Sequence, residues 1–250
     1  MFGTSPRVRR GLRSFPRLWI FSFRRTNLVA LQADPHIVET WARGWALSRG
    51  TPPPVPTAGA FRIDVGLPQH KTRYIFSQVS DDVRRLAETI LDPEVHIKVC
   101  APPEAVQRLL PYHWMIERLG FMMTRPPANP ATPPLPEGYR GEASIAPPIL
   151  SVRVTIPSGL ATATGRLALV GPFAIYDQIE THEAHRRRGL GNFVMHALGK
   201  HASDQGVNRG VLVATADGRA LYTTLGWQMH SLYTTAIVRR DSSAEGCLNE

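Results

Sequence analysis

Arg186-Arg187-Arg188-Gly189-Leu190-Gly191 is the stretch on which the fold turns. Before it, 173–181 has the apolar, β-branched character of a strand. After it, Leu190, Phe193, Val194, Ala197, Leu198 and His201 follow an i, i+3, i+4, i+7, i+8, i+11 progression, and Gly206 is placed to end that helix. Glycines at a strand-to-helix junction let the chain turn tightly and let a ligand approach the backbone. The free N–H groups of the first helical turn point outward, and the helix dipole adds positive potential. That is a pyrophosphate site, and the neighbouring arginines strengthen it. No Gly-Lys-Ser/Thr closes the loop, so it is not the P-loop of nucleotide hydrolases. Asn192-Phe193-Val194 supplies no third glycine, so it is not the dinucleotide fingerprint. Taken alone, the stretch reads equally as a basic turn before an ordinary helix.

Working outward, the second half holds strand candidates at 149–156, 161–170 and 173–181, then the helix, then a strand Val211-Leu212-Val213-Ala214. A short helix around 219–225 stops at Gly226, and a last strand runs over 227–238. The order is that of a mixed α/β sheet. Upstream, prolines break the chain at 51–56 and again between Pro126 and Pro148. The second break reads as a linker. It divides the chain into a module over 34–125 and a domain over 149–240, with a tail at 241–250. In the first module, Phe61–Val65 and Arg73–Phe76 read as strands, with a helix behind Ser80-Asp81. A strand at His96–Val99, a helix beginning at Ala105 and a closing strand at Gly120–Met123 follow.

Two motifs in the second half resemble those of the GNAT superfamily of acetyl-CoA-dependent N-acetyltransferases. Arg186-x-x-Gly189-x-Gly191 matches the family's Arg/Gln-x-x-Gly-x-Gly/Ala, and Leu221-Tyr222-Thr223-Thr224-Leu225-Gly226-Trp227 is similar to its Leu-Tyr-x-x-x-Gly-Phe. The resemblance spans roughly 137–240. It implies a GNAT-like mixed sheet in the C-terminal half, and acetyl transfer from acetyl-CoA to a primary amine by direct attack in a ternary complex. It implies a backbone contact to pantetheine at Ile179–Thr181. Arg186, Arg187, Arg188, Gly189, Leu190, Gly191 and Asn192 would hold the pyrophosphate. It casts Tyr222 as the acid that protonates the leaving thiolate. A lysine-type amine has a pKa of about 10.4, so a base or a water chain must take its proton. Asp177 and Glu180 are the carboxylates on hand; three apart on a strand, they are expected on opposite faces, and Glu180 is preferred.

The resemblance has gaps. The family opens with a strand and two helices that shape the acceptor site, whereas the region before Ile149 is proline-rich. Either the first module supplies that wall or the site is open. That module is read either as a degenerate GNAT-like copy or as an unrelated α/β unit. The order of its elements and Arg118-Leu119-Gly120-Phe121 echo the second half, but no glycine follows Phe76.

The 250 residues carry 29 basic and 20 acidic side chains, a net charge of +9. Seven arginines and no acid lie in 1–33, so this basic arm holds +7 and the rest of the chain +2. The arm's composition suits a disordered tail, a mitochondrial targeting peptide in a eukaryote, or a segment for nucleic acid or anionic membrane. Nucleic-acid binding through the arm is the weakest functional reading, and a non-catalytic acyl-CoA sensor is the main alternative to the enzyme. Two cysteines point to a reducing, cytoplasmic setting. No apolar run reaches the roughly 20 residues of a membrane span. No metal is expected, because the histidines lack convergent partners. The acceptor, a small-molecule or protein amine, and the oligomeric state are left open.

Overall fold

The computed structural model describes residues 32–125 and 131–240; the basic arm at 1–33 lies almost wholly outside the described residues, and the tail and Cys247 lie fully outside. The first half runs α1 (Pro35–Arg49), β1 (Val55–Thr57), β2 (Ala60–Leu67), β3 (His70–Phe76), α2 (Asp81–Thr89), β4 (Val95–Val99), α3 (Pro103–Gln107) and β5 (Trp114–Arg125). The second runs β6 (Arg140–Ala146), β7 (Ile149–Thr155), β8 (Ala161–Val170), β9 (Phe173–Thr181), a 3-10 turn at Glu183–His185, α4 (Leu190–Asp204), β10 (Arg209–Ala214), α5 (Ala216–Thr224) and β11 (Gln228–Val238). Except for β6, the strands of the second half fall where their apolar patterns place them. The helix expected from Ala105 is shorter, ending at Gln107.

All eleven strands form one sheet, in the order β1-β2-β3-β4-β11-β5-β10-β9-β8-β7-β6. Each half repeats one plan. An antiparallel hairpin (β2-β3, β8-β9) is followed by a helix (α2, α4) that crosses to a parallel strand (β4, β10). The first half therefore repeats the plan of the second, as the reading of it as a copy expects. The last strand of each half crosses over. β5 pairs with β10 of the second half, and β11 pairs with β4 of the first. β5 and β11 also pair with each other at the centre, joining the two half-sheets.

α4 covers one face of the second half-sheet, where Val194, Met195 and Leu198 pack on Leu150, Val152 and Leu167. α1 covers the other face. Asp34 caps it, its carboxylate accepting from the His36 N–H at 2.9 Å, Pro35 starts it, and Gly50 ends it in the left-handed region. Val38, Trp41, Ala42 and Trp45 face Ile63, Ile75, Ile175 and Tyr233. α1 was not anticipated from the sequence, and its Trp41, Trp45 and Arg49 line the cleft described below. Inside that stretch, 140–146 forms an exposed edge strand, β6, between Pro136 and Pro147.

Gly44 lets α1 lie against β9, because a Cβ there would collide with the Ile175 side chain. Gly44→Ala is expected to lift the helix and cost about 1–3 kcal/mol. A thermal melt with a clearly lower midpoint is the expected result; an unchanged midpoint would mean that α1 does not dock so closely.

Candidate active site

β9 and β10 run parallel but pair only at Phe173–Arg209, Ala174–Gly210 and Ile175–Val211. Beyond Ile175 they part. β10 stays on β5 as far as Ala214, and β9 stays on β8 as far as Thr181. The edge of β9 from Tyr176 to Thr181 thus faces a cleft of about 1360 Å³. A bulge sharpens the bend. Arg166 pairs with Asp177 and Thr164 with Glu180, leaving two residues opposite one, and Gln178 takes φ 53°. The bulge also corrects an expectation. Arg166 and Thr164 point to one side of β8, so Asp177 and Glu180 share a face rather than opposing each other. That face is α1's, because the intervening Gly165 lies under Val194 and Leu198 of α4.

The loop into α4 lines the same cleft. Arg187 (φ 60°) and Gly189 (φ 77°) are left-handed, and the chain bends through them into α4. Gly189 caps α4 with no side-chain hydrogen bond, so the N–H groups of Leu190, Gly191 and Asn192 receive no cap. Gly191 leaves the approach open. Among the described residues Asn192 Oδ1 is buried without a partner, an acceptor left for a ligand N–H or O–H. Arg186 and Arg187 line the cleft, with Arg186 Nε donating to the Thr181 carbonyl at 3.4 Å. Arg188 does not join them. It donates to Tyr139 Oη at 3.0 Å and to the Ala184 carbonyl at 3.4 Å, and Tyr139 Oη also meets His185 Nδ1 at 2.8 Å. Arg188 ties the loop to the segment before β6 instead of facing the cleft.

Tyr222 reaches the cleft from α5 and is 7% exposed. Burial, with the Asp177 charge second, pushes its phenol up to about 12, so it holds its proton at neutral pH. Asp177 is held by α1, accepting from Ser48 Oγ at 3.1 Å and from Arg49 Nε and Nη2 at 2.9 and 3.1 Å. Glu180 is exposed at the cleft and, among the described residues, forms no ion pair. Ile179 and Thr181 line the cleft beside it.

The first half contributes a floor that sequence reasoning missed. His70 and Arg73 of β3, His96 and Lys98 of β4, and Arg118 of β5 all line the cleft. Arg73 pairs with His96, while Lys98, Thr235 and Arg118 form a row across β4, β11 and β5. Arg73 stacks on the Trp45 ring at 3.6 Å, and the His70 and His96 rings stack at 4.0 Å. Burial and the neighbouring cations lower His70 to about 2 and His96 to about 4. Both imidazoles are neutral in the fold at pH 6.5, where a free histidine titrates. The unfolded chain therefore binds protons below that pH which the folded chain refuses. The stability these rings contribute is complete above pH 6.5 and drains away as the pH falls toward 4 and below. Urea midpoints should drop over that window, and His70→Gln should flatten the drop. An equally steep drop in the variant would contradict the assignment.

The family model described as FR47-like protein matches residues 161–236. Among solved structures, a GCN5-related N-acetyltransferase from Kribbella flavida aligns over 84% of this chain and 98% of its own, at 16% identity and TM-score 0.61. A GCN5-related N-acetyltransferase-like protein from Streptococcus suis aligns over 73% and 85%, at 12% identity and TM-score 0.53. A GCN5-related N-acetyltransferase from Sphaerobacter thermophilus aligns over 72% and 76%, at 12% identity and TM-score 0.50. At these identities the likeness is one of fold. No curated protein matches the chain.

Proposed function

Because the C-terminal half of this chain is a GNAT-superfamily domain, we propose that the protein transfers an acetyl group from acetyl-CoA to a primary amine. One observation carries this reading: the parting of β9 and β10 opens one cleft onto both the uncapped start of α4 and the protonated Tyr222. Arg187, Gly189, Leu190, Gly191 and Asn192 hold the pyrophosphate, with Arg186 beside them. The bulged edge at Ile179–Thr181 holds pantetheine through its backbone. Bound there, acetyl-CoA supplies a thioester carbonyl for attack. Tyr222 donates its proton to the departing sulfur. Glu180, directly or through water, takes the proton of the incoming ammonium, while Asp177 stays bound to Arg49 and anchors α1.

The lining supports direct attack in a ternary complex. Among the described residues no cysteine or serine faces the cleft to carry an acyl group between two half-reactions. Initial rates measured against both substrates should give intersecting double-reciprocal lines. Parallel lines would show an acyl-enzyme and sink the direct-attack mechanism.

A further inference from the structure

Arg73 and Lys98 are 8% and 6% exposed and line the cleft, yet among the described residues neither has a carboxylate partner. Lys98 Nζ has only Thr235 Oγ1 at 3.1 Å and His96 Nδ1 at 3.4 Å; Arg73 Nε has His70 Nε2 at 3.4 Å. Cations this deeply buried are costly unless paired. The nearby acids are already engaged, Asp177 with Arg49 and Glu117 with Arg118. A third group points the same way. Tyr233 lines the cleft, and its Oη is buried with no hydrogen-bond partner among the described residues. Arg73, still a cation with its pKa lowered to about 10, Lys98, whose ammonium is held well below its ordinary range by burial and by Arg73 until an anion pairs it, and the Tyr233 hydroxyl meet on α1's face of the sheet. α4, whose start receives the pyrophosphate in the reading above, covers the opposite face.

We infer that this floor binds an anionic group of the acceptor, so that the substrate is a primary amine carrying a carboxylate or a phosphate. The inference rests on the acetyl-transfer reading and deepens it. Arg73 and Lys98 take the anion's charge and Tyr233 donates a hydrogen bond to it. Arg118, exposed at the mouth, steers it in.

The test pairs acceptors that differ only in the anion: glycine with glycinamide, and phosphoethanolamine with ethanolamine. The acidic member of at least one pair should have about 100-fold higher kcat/KM, as buried charge pairs give. Which pair shows it tells carboxylate from phosphate. Lys98→Met should cut that preference to about 3-fold, mainly through KM for the acceptor, and should raise Tm by removing a buried amine with no carboxylate partner. Arg118→Gln, on the surface, should weaken the preference without touching the core. A parallel readout needs no turnover. Acetate or inorganic phosphate should shift the His70 and His96 ring signals in NMR, and Lys98→Met should abolish the shift. Equal rates for acid and amide would overturn the inference and leave acetyl transfer standing. A Lys98→Met defect in KM for acetyl-CoA instead would assign the cations to the coenzyme and overturn it too. If no amine is acetylated, the transfer reading fails, and the NMR shift alone decides whether the floor binds anions.

Discussion

Tyr222→Phe is expected to lower kcat by about 100-fold, the lower range for removing a general acid, while KM for acetyl-CoA changes by less than about 3-fold. The phenol is buried and lies in the cleft with its pKa pushed up to about 12, so at neutral pH it is a proton donor and not a phenolate. A fixed donor beside the departing sulfur lowers the barrier to its release. The substitution keeps the ring, which is tilted against Trp227 at 6.2 Å between centroids and packed beside Gly218. The fold should therefore hold, and Tm should shift by a few degrees at most. A kcat within about 3-fold of wild type would remove Tyr222 from the mechanism.

Gly191→Glu should weaken acetyl-CoA binding by about 100-fold or more. Its Cβ would meet Thr181 Oγ1 at 3.4 Å and Leu221 Cδ2 at 3.5 Å, both ordinary contacts, so the backbone need not move. The added carboxylate would enter the cleft at the first turn of α4, where the proposed pyrophosphate lies, and like charges so close in a partly dry site repel by several kcal/mol. The same carboxylate favours the helix itself, since a negative charge at an N-terminus contributes about 0.3–1 kcal/mol. The variant is thus expected to keep or raise its Tm while losing the coenzyme, a combination that damage to the fold cannot imitate. Gly191→Ala should bind nearly as wild type. Calorimetric titration gives both affinities, and equal affinity in wild type and Gly191→Glu would refute the phosphate-loop assignment.

Local chemistry made part of this readable from the sequence. The glycine turn and the 3.6-residue period of α4 report on neighbours in the chain, and they locate the coenzyme end of the cleft. α1 carried equally plain signals: an Asp34 cap, Pro35 at the first position, Val38, Trp41, Ala42 and Trp45 at i, i+3, i+4, i+7, and Gly50 at the end. Its buried side also takes in Thr40, Gly44 and Ser48, which blur the apolar period. The bulge had no such mark, because Gln178 takes the left-handed position that a glycine would have advertised. The exchange of β5 and β11 has no local trace, since either strand's pattern suits either neighbour. The basic floor likewise depends on which strands become neighbours. His96-Ile97-Lys98-Val99 alternates, with Ile97 and Val99 buried toward α2 and α3, so its charged face had to lie somewhere in the sheet. Only the strand order brings Lys98 beside Arg118 and Arg73, and each residue by itself looks like an ordinary surface charge.

Transfer of an acetyl group onto an amine leaves a direct signature in its two products. The direct measurement incubates the purified protein with acetyl-CoA and an amine panel that includes glycine and phosphoethanolamine. It counts free thiol and acetylated amine together, the second by mass spectrometry. The account predicts equal amounts of the two, formed only when both substrates are present. Acetyl-CoA bound by calorimetry but no acetylated amine from any member would contradict it, and would instead describe a domain that senses the coenzyme.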